Sequence, residues 1–118
     1  MELACYKKCG TCQKAKKFLM NQGLEYEDRE IIENPLTFEE LKDAYKKSGL
    51  KIKAFLNTSG LVYRELEMKD KVKNMSSDEI LNVISKHPML MKRPVLRAES
   101  FVLVGFKEDE WKKALDIK

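Results

Sequence analysis

No run of apolar residues in this 118-residue chain approaches the roughly 18 that a bilayer-spanning helix needs, which excludes a transmembrane helix. The opening residues, MELACYKK, lack the apolar stretch of a secretory signal, so the expectation is a cytoplasmic protein. Blocks of one charge are also missing. Lysine and arginine are interspersed with aspartate and glutamate to a net charge of only +4, which gives no ground for direct nucleic-acid binding. Histidine occurs once, at His87, where it reads as a polar residue at a helix end. Cysteine occurs three times, an odd number, with Cys9 and Cys12 spaced C-x-x-C. That usage fits reactive thiols in a reducing compartment and not a secreted disulfide framework, and any disulfide is expected to be transient. Internal repeats, low-complexity tracts and linkers are absent. A chain of this length closes one hydrophobic core and not two, so a single domain over residues 1–118 is expected.

What is present is an ordered series of periodic segments. Residues 2–6, ELACY, are short and apolar enough for a buried strand. The period then changes, placing Cys12, Ala15, Phe18 and Leu19 on one helical face with lysines opposite, and Gly23 stands where that helix should end. A second strand is predicted within 24–32, before Asn34-Pro35. Thr37 with Glu40, and Ser76 with Glu79, have the spacing of capping boxes. They open helices carrying Leu41, Ala44 and Tyr45 in one case and Ile80, Leu81 and Ile84 in the other. The first is flanked by a Leu36/Leu41 staple and ends at Gly49. Residues 61–75 show no clear period. Two apolar runs, 94–97 and 101–104, suit a hairpin, and KEDEWKKAL suits a closing helix that buries Trp111, Ala114 and Leu115. The predicted order is β-α-β, a helical insert over approximately 35–87, then β-β-α: an α/β fold with a four-stranded mixed sheet. Met20, Met68, Met75, Met89 and Met91 read as core or rim filler.

The chemistry concentrates at KKCGTCQKAKKFLM. A thiol in the first turn of a helix faces unsatisfied N–H groups and the positive end of the dipole, which favour thiolate. Cys9 is placed there with Lys7 and Lys8 beside it. Cys12, one turn on, is placed to resolve a mixed disulfide formed at Cys9, and Gly10 and Thr11 leave room for a substrate. Other readings stay open. Cys5-x-x-x-Cys9-x-x-Cys12 has the spacing of an iron–sulfur ligand set, although the barrel those enzymes need runs to about 250 residues. The three cysteines with His87 have the arithmetic of a zinc site. Finally, the thiols serve as small packing residues in the plainest reading.

CGTCQKA, TFEELKDAYKKSGL, FLNTSG, YRELEMKDK, HPMLMKRPVL and VGFKEDEW, in this order, resemble the arsenate reductase-like family that includes the Spx regulators. The resemblance spans nearly the whole chain. It implies a glutaredoxin or thioredoxin fold with a helical insert, Cys9 as attacking thiol, Pro94 as a cis proline facing it, and Arg93 as an arginine that helps hold an oxyanion. The pattern also departs from the family. Arsenate reductases coupled to glutathione and glutaredoxin place two further arginines where this chain has Asn57 and Gly105, so strong arsenate turnover is not expected. Cys12 is more like Spx, whereas NTSGLVYREL differs from the Spx sequence there. The chain therefore resembles a C-x-x-C-bearing branch between the two groups. The implied function is a thiol–disulfide oxidoreductase acting on a small-molecule or protein disulfide, with no bound cofactor and with glutathione or a dithiol protein as co-substrate. Lys8 and Arg64 are further substrate-binding candidates, and no metal is called for. The alternative is a redox-sensing regulator in the manner of Spx, docking on the RNA polymerase alpha subunit.

Overall fold

The computed structural model describes residues 1–116. Strand β1 (Glu2–Cys5), helix α1 (Gly10–Asn21) and strand β2 (Glu27–Glu30) come first. Helices α2 (Phe38–Ser48), α3 (Leu61–Glu65), α4 (Met68–Lys71) and α5 (Ser77–Lys86) follow, with 3-10 turns at Ile52–Phe55, Val72–Asn74 and Pro88–Leu90. Strands β3 (Val95–Arg97) and β4 (Val102–Val104) and helix α6 (Glu108–Ala114) complete the order. The sheet runs β2-β1-β3-β4, with β1 parallel to β2, β3 antiparallel to β1, and β4 antiparallel to β3.

Strand β1 is central, and its period-two alternation divides the core. Leu3 and Cys5 face one way with Leu96, against Ala15, Phe18 and Leu19 of α1 and Trp111 of α6. Ala4 faces the other way with Val95, against Leu41 of α2 and Leu81 and Ile84 of α5. Both faces are therefore covered, which is why β1 reads as an uninterrupted apolar run instead of an alternating one.

Both capping boxes form in full, with the Thr37 and Ser76 hydroxyls accepting from the amides of Glu40 and Glu79 and the carboxylates returning to the cap amides. Gly23 and Gly49 take the left-handed conformation that closes α1 and α2. Some elements are shorter than their patterns. Strand β2 occupies only the centre of 24–32, and Tyr6 lies beyond β1. The segment without a clear period is α3, α4 and a 3-10 turn, pieces of three to five residues, too short to display a helical repeat. Of the three residues expected to be buried by α6, only Trp111 is fully so; Ala114 and Leu115 are half-buried, because the helix packs edgewise through one aromatic cluster with Phe18 and Phe106. Met20 is not filler: it is 70% exposed on the outer face of α1.

A charged cluster lies at one edge of the core. The register sets Ala4 opposite Arg29 and Glu2 opposite Arg97, so Glu2, Arg29 and Arg97 share the sheet face that α2 covers. Glu40 reaches them from α2. The Arg29 guanidinium donates to both Glu40 oxygens at 2.6 and 2.8 Å and to the Asn34 and Pro35 carbonyls, and it pairs with Glu2; Arg97 bridges Glu2 and Glu40. The same carboxylate that caps α2 thus ties α2 to three strands.

Candidate active site

Between β1 and α1 the chain makes one tight turn in which the Cys9 amide donates to the Tyr6 carbonyl at 2.9 Å. Two side-chain bonds brace it, one from a distant strand and one from within α1. The Lys7 amide donates to the Glu30 carboxylate at 2.9 Å, and the Gln13 side-chain amide donates to the Lys7 carbonyl at 3.0 Å. Cys9 is the N-cap residue of α1, in extended backbone, and its side chain makes no capping bond. It is half-buried, whereas Cys12, in the first turn, has no exposed surface. All three cysteines are free thiols.

The polarity of a helix, read alone, assigns the favoured thiolate to Cys9; in the folded site the hydrogen-bond donors gather at Cys12. The Cys5 thiol, the Tyr6 amide and the Cys9 thiol all reach its sulfur, and the Arg93 charge acts in the same sense. Together, led by the Cys5 thiol, they outweigh burial and hold Cys12 well below the ordinary thiol range. Cys5 moves the opposite way. Its proton is held by the bond to Cys12, with burial and the Cys12 charge adding to that. Cys12 is thus the shared neighbour of two thiols, Cys9 on the surface side and Cys5 in the core.

Arg93 and Pro94 arrive from the segment before β3, which pairs alongside β1. The Arg93–Pro94 peptide bond is cis, the geometry the resemblance implies. The Arg93 guanidinium lies over the Tyr6 ring, 5.6 Å from its centroid, and one terminal nitrogen contacts the carbonyl and the sulfur of Met89 at 3.4 Å. Its Nε is buried and has no partner among the described residues. Tyr6 and Met89 are site residues that pattern reading missed. Tyr6 reads as part of the strand and Met89 as filler; Tyr6 is far from Arg93 along the chain, and Met89, four residues before it, carries no polar side chain to mark it as a partner.

The other candidates fall into two groups. Gly10 and Thr11 are exposed at the start of α1, and a side chain at Gly10 would meet nothing within 4 Å, so the ground in front of Cys9 is open. Lys8 is exposed and lines, with Tyr6, Lys7, Glu30, Ile32 and Met89, a groove of about 260 Å³ beside the turn. Arg64 is not brought to the site by any bond: it lies exposed on α3, on a helix instead of a covering loop, and no hydrogen bond or ion pair ties it to the cysteine turn among the described residues. His87 is exposed at the end of α5, and among the described residues no group of three or more His, Cys, Asp or Glu side chains converges as a metal site requires. Gly105 has φ +72°, a conformation that an arginine would adopt only under strain, and its carbonyl accepts from the Trp111 indole at 3.0 Å.

A four-stranded mixed sheet between helical layers, with C-x-x-C at the first strand-to-helix junction and a cis proline before the third strand, defines a thioredoxin-like protein. The chain belongs to the ArsC family, whose model matches residues 5–114. It is 50% identical to the uncharacterized protein YusI of Bacillus subtilis, over 92% of each chain. It is 26% identical to the global transcriptional regulator Spx 2 of Bacillus anthracis, over 91% of this chain and 80% of that one. Among solved structures, a protein of Bacteroides fragilis described as ArsC family related shares 45% identity, covers 95% of this chain and 94% of its own, and superposes with a TM-score of 0.91.

Proposed function

We propose that the protein is a thiol–disulfide oxidoreductase in which Cys9 attacks and Cys12 resolves. The observation that carries this reading is the division of labour at the turn: a half-exposed thiol at an open helix start donates its hydrogen bond to a buried sulfur held toward its anion. The chemistry follows from that arrangement. The Cys9 proton passes to the Cys12 sulfur as the Cys9 sulfur attacks one sulfur of the substrate disulfide, forming a mixed disulfide and releasing a thiolate. That leaving group takes the proton from Cys12. The Cys12 thiolate then attacks the Cys9 sulfur, releasing the second substrate thiolate and leaving a Cys9–Cys12 disulfide. A dithiol protein or glutathione restores the pair. Arg93 supplies positive charge that acts on the Cys12 sulfur. The groove beside Lys8 and Tyr6 offers a docking surface for the remainder of a disulfide-bearing substrate.

The test is reduction of a small mixed-disulfide reporter with glutathione in excess. Wild type is expected to turn over, and Cys9→Ser to lose at least about a hundred-fold in rate. Cys12→Ser is expected to stall as a Cys9–substrate adduct visible by intact mass. A Cys9→Ser variant that keeps wild-type turnover overturns the reading.

The match to Spx 2 over 91% of the chain favours one other reading, a redox-sensing regulator whose Cys9–Cys12 disulfide alters docking on the RNA polymerase alpha subunit. Pull-down with that subunit separates the two. Oxidation-dependent capture without turnover supports the regulator, and turnover without capture supports the enzyme.

A further inference from the structure

Cys5 is a buried nucleophile that the reaction above leaves unused. It closes β1, is 1% exposed, and packs in the same buried cluster as Cys12 of α1, with Cys9 half-buried against that cluster. Cys12 thereby lies in one cluster with a thiol from the open start of its helix and a thiol from the sheet, and the opposite shifts of Cys5 and Cys12 agree with that closeness. We propose that Cys5 is a second, inner disulfide partner of Cys12, so that the site works as a three-thiol relay that carries oxidation from the surface into the core. The proposal rests on the oxidoreductase reading and extends it by one step.

The step is a thiol–disulfide exchange within the chain. Once Cys9–Cys12 has formed, the Cys5 sulfur attacks the Cys12 sulfur; the Cys9–Cys12 bond breaks, a Cys5–Cys12 bond forms, and Cys9 leaves as a thiolate that takes up the proton Cys5 gives up. The two-electron oxidation delivered by the substrate disulfide stays in the protein, so no further oxidant is needed. The products differ in accessibility. Cys9 regains a free thiol at the half-exposed helix start, while the new disulfide joins two sulfurs with almost no exposed surface. A solute thiol that reads the outer disulfide directly would reach the inner one only through Cys9.

The chain's own lysines make the states separable. Trypsin cuts after Lys7 and Lys8, between Cys5 and Cys9, so a Cys9–Cys12 disulfide stays inside the CGTCQK peptide whereas a Cys5–Cys12 disulfide joins CGTCQK to MELACYK. The experiment oxidises the reduced full chain with oxidised glutathione, quenches at intervals with excess N-ethylmaleimide near neutral pH, digests the alkylated chain with trypsin at slightly acid to neutral pH and reads the peptides by mass. In wild type the internal disulfide is expected first, followed by the linked pair, with Cys9 labelling recovering while Cys12 stays unlabelled. In Cys5→Ala, and in Cys5→Ser as a second variant, Cys9 and Cys12 labelling should stay lost together and the linked pair should never form. Wild-type protein that turns over the reporter yet yields no linked peptide overturns the relay and leaves the oxidoreductase reading standing. Protein that forms the linked peptide but turns over nothing supports the inner pair and overturns that reading.

Discussion

At the residue scale the site is governed by where donors point. Four groups favour the Cys12 anion, and only one of them, the Cys9 thiol, lies in the C-x-x-C motif; Cys5 and Tyr6 come from the end of β1 and Arg93 from the approach to β3. With these donors in place Cys12 titrates at about 6. Its lowered value means that thiolate is plentiful above that pH and is lost as pH falls through it. In the mixed disulfide Cys9 no longer has a thiol proton to donate, so the resolving step should level off somewhat above pH 6 and drop about ten-fold for each pH unit below that break. Rapid-quench decay of the Cys9 mixed disulfide, followed from pH 4.5 to pH 8 on the order of half-unit steps, measures this. Cys5→Ala removes the leading donor and should move the break upward; an unmoved break would show that the Cys5 thiol does not govern Cys12.

The same distinction between local and assembled interactions separates the two capped helices. Thr37 and Ser76 open α2 and α5 with the same reciprocal bonds, and both were legible because a cap needs residues only three positions apart. Glu40 does more than close its cap, because its carboxylate is also the main partner of the 9% exposed Arg29. Thr37→Ala should cost about 1 kcal/mol, the ordinary value of a lost cap. Glu40→Ala should cost more, about 3 kcal/mol, since it also removes the main ionic partner of a buried guanidinium and leaves it only the longer Glu2 pair and two carbonyls. Urea denaturation of the two variants orders them, and equal losses would mean that the Arg29 contact contributes little. The short helices α3 and α4 show the opposite limit. Four or five residues complete barely one turn, so no periodic face can be read from them, and they are held by packing of Tyr63 and Met68 into the core.

For the molecule as a whole, the Glu2–Arg29–Glu40–Arg97 cluster joins three strands and a helix, and it is expected to contribute to the acid sensitivity of the fold. Glu40 is lowered to about 2, first by the Arg29 hydrogen bonds and then by the Thr37 amide and the two arginine charges, against partial desolvation. A carboxyl lowered in the folded state contributes stability that is complete above its ordinary value near 4.5 and is lost as pH falls toward 2. Wild-type stability should fall across that window. Arg29→Met keeps the stem and removes the charge; it should lose about 3 kcal/mol at neutral pH and show a shallower acid decline. Chemical denaturation at several pH values reads both effects, and a variant with the wild-type acid profile would remove Arg29 as its cause.

The sequence by itself determined the order of elements, both capping boxes, the glycine stops and the position of C-x-x-C between strand and helix, because each is written in residues a few positions apart. Arg93 and Pro94 were legible through family resemblance, not local pattern. Tertiary structure decided what adjacency along the chain does not encode: that Arg29 joins Glu2 and Glu40, that Arg93 lies over the Tyr6 ring, and that Cys12 collects the donors of the site. The physical reason is strand pairing. Placing β3 antiparallel and β2 parallel to β1 brings distant charges within reach of one another, while the turn from β1 into α1 folds the strand cysteine Cys5 into the same buried cluster as Cys12.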